Sequence, residues 1–175
     1  MKNFSSMAVF NRIWVVGPQR SGTRIMSKMI AHDIGCRLFD ERDFAIDSVS
    51  RLWIMVGETL DEETVVIHGP GITRWVHRLA SIQDAVVFMM RDLEEIRASE
   101  RRIDWLHDRA EALKYDVERD SAQIKQKFWL ETQVPLIGNA FTAIYPGDLD
   151  THPMWASQGD RKAFHWDQTS VKDPG

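Results

Sequence analysis

The stretch Ile13-Trp14-Val15-Val16-Gly17-Pro18-Gln19-Arg20-Ser21-Gly22-Thr23 decides how this chain reads. Its apolar start predicts a buried strand. Gly17 and Gly22 bound a loop. From Thr23 to Ile34 the residues Ile25, Met26, Met29, Ile30 and Ile34 share one face of a helix. A strand, a glycine-bounded loop and a helix N-terminus form an anion cradle, because loop amides and the positive end of the helix dipole face one point. The G-x-x-x-x-G-K-[ST] loop of nucleoside triphosphate enzymes would place Lys and Ser/Thr directly after Gly22. Here those places hold Thr23 and Arg24, and the cation, Arg20, sits inside the loop.

Outward from this loop, three more apolar runs predict strands: Thr64 to Ile67, Ala85 to Met90 and Ala140 to Tyr145. Cys36 to Phe39 is a candidate fifth. Near-continuous apolar strands suit a parallel sheet covered on both faces. Between them lie helical patterns. Ala45, Ile46, Val49, Leu52, Trp53, Val56 and Leu60 share one face, and Ile103, Leu106, Ala110, Leu113 and Val117 form a stripe that Ile124 and Phe128 continue. Pro135 is expected to stop that helix. The expected fold is therefore α/β, a three-layer sandwich around a parallel sheet of four to five strands, in a single domain over residues 1–175. In such folds ligands bind beyond the carboxyl ends of the strands. The Gly17 loop, His68 and Arg91 each follow a predicted strand, so all three are expected at one sheet edge.

Composition narrows the function classes. The formal net charge is −4, which argues against a general nucleic-acid binder. Cys36 is the only cysteine, so no intrachain disulfide and no Cys-rich metal site is expected. The opening MKNFSSMAVFNRIWVV has no long apolar core and no small-residue cleavage site, and no apolar run reaches membrane-span length. A cytoplasmic protein without a membrane partner is expected.

The third strand ends at Arg91, and Ser99 follows eight residues later, about two turns into a helix. With Pro18, Arg20, Ser21, Gly22 and Thr23 in the first loop, this pair resembles the sulfotransferase family, in the form of a short bacterial or phage-like member. The resemblance covers Ile13 to Ser99 and implies a P-loop nucleoside triphosphate hydrolase-like fold. It also implies the cofactor 3′-phosphoadenosine 5′-phosphosulfate, with adenosine 3′,5′-bisphosphate as product. Pro18, Gln19, Arg20, Ser21, Gly22, Thr23 and Arg24 would then bind the 5′-phosphosulfate, and Arg91 and Ser99 the 3′-phosphate. His68, two residues before Pro70, is similar to the family's general base, although Val66 stands where the family often has Lys. Arg161 and Lys162, ahead of Trp166, are similar to a basic segment over the 3′-phosphate.

The resemblance thus gives Arg20, His68 and Ser99 as the catalytic set, with no metal. The implied reaction moves a sulfuryl group to a hydroxyl or amine on a small molecule or glycan. Arg20 differs from the family's usual Lys in offering a planar fork that does not readily give up a proton. Two other readings share the fold: a small nucleotide or nucleoside kinase, and a non-catalytic binding protein on a sulfotransferase scaffold. The acceptor is not legible, and the striped helix near Ile103 fits its own sheet or a second copy in a homodimer.

Overall fold

Arg12–Val16 forms strand β1 and is buried along its whole length. Alternate side chains of a strand face opposite sides of the sheet, and both sides are apolar here. Ile13 and Val15 pack with Met26, Met29 and Ile30 of helix α1 (Thr23–Ile34). Trp14 and Val16 pack with Ile72 and with Val76 and Leu79 of the short helix α2 (Val76–Leu79). The computed structural model describes residues 3–40, 54, 56–59, 63–73, 75–102, 126, 129–145, 147, 149 and 152.

Five parallel strands make one sheet in the order β2-β3-β1-β4-β5. The others are β2 (Arg37–Phe39), β3 (Val65–His68), β4 (Ala85–Met90) and β5 (Ala140–Ile144). The expected α/β class, parallel sheet and strand number are all present. Four boundaries shift by one residue: β2 begins at Arg37 and not Cys36, β3 begins at Val65 and not Thr64, and two strand ends move as well. His68 ends β3, opposite Val15 of β1, instead of following it, and Tyr145 lies just past β5. The central strand β1 has β3 on one side and β4 on the other, so the chain crosses over it between them. A switch of this kind opens a crevice at the strand carboxyl ends, and the Gly17 loop leaves β1 there.

Helix α3 (Leu93–Arg102) follows β4. Trp129–Gln133 forms one π-helical turn, and Val134–Leu136 a 3₁₀ turn that contains Pro135. Pro135 sits early in that 3₁₀ turn, and the described helical structure ends one residue later, at Leu136. The stripe from Ile103 to Val117, with Ile124 and Phe128, lies outside the described residues, as do Ala45 to Trp53 and Leu60 of the earlier pattern. Of the tail, Leu149 and His152 are buried. His152 Nε2 meets Asp33 Oδ2 at 2.8 Å and its ring stacks on Phe4, which ties this end of the chain to α1.

Candidate functional site

The loop after β1 is shaped by two glycines and one arginine. Gly17 has φ 140°, and a Cβ there would lie 2.6 Å from the Met89 carbonyl oxygen of β4. Its N–H donates to Thr73 Oγ1 at 3.0 Å, and that hydroxyl donates to the Pro70 carbonyl at 2.7 Å. The loop start is therefore fixed between β4 and the turn after β3. Ser21 then closes a turn on Pro18, whose carbonyl accepts from Ser21 Oγ at 2.6 Å. Arg20 has φ 63°, the one positive value among the described non-glycine residues. An L-residue there is strained by roughly 1–2 kcal/mol. Gly22, with φ 93°, is the N-cap of α1 and makes no side-chain capping bond. A Cβ on it would lie 2.5 Å from the Tyr145 ring, so that ring forms the floor of the loop.

The two elements singled out in the sequence converge on Arg20. Its Nε and Nη2 donate to Ser99 Oγ at 3.2 and 3.0 Å. Arg91 Nη1 donates to the Arg20 carbonyl at 2.9 Å, and its guanidinium carbon lies 4.2 Å over the Tyr145 ring. Arg91 Nε also meets Glu95 Oε2 at 3.1 Å. One partner of the Arg91–Ser99 pair thus holds the strained loop by its backbone and the other by its side chain. Ser99 is buried and turned to Arg20, while Gln19 is exposed at the loop tip.

A second group of side chains stands beside the loop. Thr23, first in α1, has Oγ1 at 3.0 Å from His68 Nε2. His68 Nδ1 faces Asp40 Oδ1 at 3.5 Å. Asp40 Oδ2 accepts from Arg24 Nε at 3.2 Å and lies 3.1 Å from Arg24 Nη2. Asp40 directly follows β2, so β2, β3 and the first turn of α1 each supply a member.

The structure therefore gathers Pro18, Gln19, Arg20, Ser21, Gly22, Thr23, Arg24, His68, Arg91 and Ser99 around one sheet edge, whereas Arg161 and Lys162 lie outside the described residues. Three residues were missed. Asp40 could have been found as the first polar residue after a candidate strand. Thr73 and Tyr145 act from beneath the loop; Tyr145 ends a predicted strand similar to a late strand of the sulfotransferase family, but nothing local marks either residue as part of the site. Among the described residues, no group of three or more His, Cys, Asp or Glu side chains could hold a metal ion. Nor is any described helix long and apolar enough to cross a membrane.

A solved shikimate kinase from Acinetobacter baumannii, in complex with shikimate, is similar in structure. The TM-score is 0.52, the sequence identity 13%, and the match covers 94% of this chain and 98% of that chain. The chain shares the α/β fold of that protein, with a parallel sheet of five strands. At that identity the likeness concerns the fold. No family model matches the chain, and no curated protein matches it.

Proposed function

We propose that this protein is a group transferase that holds the anionic end of a nucleotide donor against the Gly17–Thr23 loop. The observation that carries this reading is the convergence of Arg91 and Ser99 on Arg20, beside a helix N-terminus. The N-cap, Gly22, supplies no capping side chain. A phosphate or sulfate oxygen placed there would face the positive end of α1, and guanidinium groups suit such oxygens because they donate in a planar fork.

The finer reading is sulfuryl transfer from 3′-phosphoadenosine 5′-phosphosulfate to a hydroxyl or amine. Residue identity supports it. Thr23 and Arg24 hold the places of the lysine and the magnesium-holding hydroxyl in a triphosphate loop. Both are engaged elsewhere, Thr23 with His68 and Arg24 with Asp40. The residues present fit a donor that needs neither: a glycine loop too tight for a Cβ at Gly17 or Gly22, and Arg20 and Arg91 behind it. When bound, the donor would supply a sulfuryl group on a phosphate leaving group. Arg20 and the loop amides would hold that end, Arg91 and Ser99 the 3′-phosphate. His68 would take the acceptor's proton, since imidazole serves as a base near neutral pH.

The second reading is phosphoryl transfer by a small-molecule kinase. The solved-structure likeness favours it over sulfuryl transfer, because the matched protein is a kinase. The two readings differ in the ligand that binds. By calorimetry without Mg²⁺, the wild type is expected to bind adenosine 3′,5′-bisphosphate. Arg91→Ala is expected to weaken that binding about 10- to 100-fold, as loss of a charged hydrogen bond of about 1.5–3 kcal/mol implies. Binding of ATP with Mg²⁺ instead moves the assignment to the kinase. Equal bisphosphate binding by both proteins, or no binding of either ligand, removes the site.

A further inference from the structure

His68 is buried between two oxygen-bearing neighbours, and its two nitrogens are placed differently. Nε2 is within hydrogen-bond distance of Thr23 Oγ1, at 3.0 Å. Nδ1 is buried, has no hydrogen bond, and faces Asp40 Oδ1 at 3.5 Å. An unsatisfied buried polar atom is unfavourable by about 1–3 kcal/mol, so the ring proton settles according to these two neighbours.

Two neutral tautomers compete. With the proton on Nε2, the ring donates to Thr23, and a bare Nδ1 lone pair faces a carboxylate oxygen. With the proton on Nδ1, the N–H lies beside Asp40 Oδ1 in an electrostatic contact short of a hydrogen bond, and Nε2 accepts from the Thr23 hydroxyl. Only the second arrangement suits both neighbours, because a hydroxyl can donate and a carboxylate cannot. Arg24 completes the geometry. It holds Asp40 through Oδ2, which leaves Oδ1 toward the ring. An outer carboxylate that fixes a histidine tautomer in this way is a recurring device.

We propose that Asp40 is a positioning residue that keeps the His68 proton on Nδ1 and so presents Nε2 as the base beside the anion loop. The inference rests on the transferase reading above and adds to it the group that prepares the base. Thr23 engages Nε2 in the resting protein, and an acceptor hydroxyl or amine takes its place. The acceptor's O–H or N–H bond then breaks, an N–H bond forms at Nε2, and the carboxylate balances the imidazolium charge.

Nitrogen-15 NMR on the histidine-labelled full-length protein reads the tautomer directly, with no substrate present. The wild type is expected to carry the His68 proton on Nδ1. Asp40→Ala is expected to move it to Nε2, and Asp40→Glu to restore it. In transfer assays Asp40→Ala is expected to lower kcat about 10- to 100-fold, as loss of an outer ligand partner does, and the tautomer readout separates this from any change in donor KM caused by releasing Arg24. A wild-type proton on Nε2 overturns the proposal, and so does an unchanged tautomer in a folded Asp40→Ala protein. If Asp40→Ala does not fold, the wild-type spectrum alone decides. Failure of nucleotide binding would remove the transferase reading and leave the tautomer result standing.

Discussion

Arg12 at the amino end of the sheet and Arg20 and Arg91 at the carboxyl end hold different kinds of partner. At the amino end of the strands, Arg12 Nε donates to both Asp84 oxygens, at 3.0 and 3.2 Å. The same carboxylate accepts from Trp14 Nε1 at 3.3 Å and from the Ser81 amide at 2.8 Å. Asp84 is fully buried, and its charge is met from several sides. At the carboxyl end, Arg20 meets the neutral hydroxyl of Ser99, and Arg91 meets a backbone carbonyl, the face of a tyrosine ring and the exposed carboxylate of Glu95. The first arrangement ties β1 to the turn before β4 through a buried carboxylate, although Arg12 Nη1 stays buried without a hydrogen bond. The second spends its contacts on keeping a strained loop in shape. Such strain persists only where surrounding structure over-determines it, and it collects at binding sites.

That contrast can be broken by mutation. The largest stability effect is expected from Asp84→Ala, which leaves the Arg12 charge buried without its partner. Removing one member of a buried pair destabilises by about 3–5 kcal/mol, measurable by urea unfolding. A loss below about 1 kcal/mol, the range of surface pairs, would mean that the amino end is no anchor. Gly17→Ala comes next, at about 1–3 kcal/mol for a residue forced into a sparsely populated backbone region. The Met89 carbonyl that its Cβ would meet belongs to the central sheet and cannot swing aside. This variant is also expected to lose bisphosphate binding in calorimetry, whereas Asp84→Ala, while folded, is expected to keep it. If both keep it, or both lose it, the division between the two ends fails.

The smallest effect is expected at Asp33, near the C-terminus of α1, which takes part in neither arrangement. Burial pushes its carboxyl up, but hydrogen bonds from the Phe4 amide, His152 and His32 outweigh this and hold it below the ordinary 3.8. A lowered carboxylate contributes stability above its unfolded value, and that contribution is lost as pH falls through the folded one. Wild type and Asp33→Asn should therefore differ most in Tm above pH 3.8, and the gap should close as pH drops further. A gap that widens toward acid would contradict the sign.

How much was legible follows from what each feature depends on. The strands were legible because a parallel sheet buries both faces, and Ile13–Val16 and Ala85–Met89 are apolar throughout. The loop was legible because two glycines bracket it after a strand. Arg91 and Ser99 were legible as a pair, one just past β4 and the other in α3, but their meeting at Arg20 was not, because it depends on the loop after β1 lying beside the end of β4. Asp40 was hidden because its partner His68 lies on another strand, and only the β2-β3 pairing, Phe39 opposite Ile67, brings them together. Tyr145 was hidden for the same reason. Its place under Gly22 depends on β5 lying beside β4, with Ile144 opposite Met90.

The Tyr145 ring has a consequence for the order of assembly. It lies against Gly22, and Arg91 lies over it, so the loop, the end of β4 and the end of β5 share one aromatic surface. The Gly17–Thr23 segment is made early in synthesis, yet its floor arrives more than a hundred residues later. During translation the nascent chain would hold the loop without its support. The proposed anion site would then be complete only once the fifth strand docks. A ribosome-bound chain stalled before residue 145 and one stalled well after it would differ in ligand capture far more than in helix content.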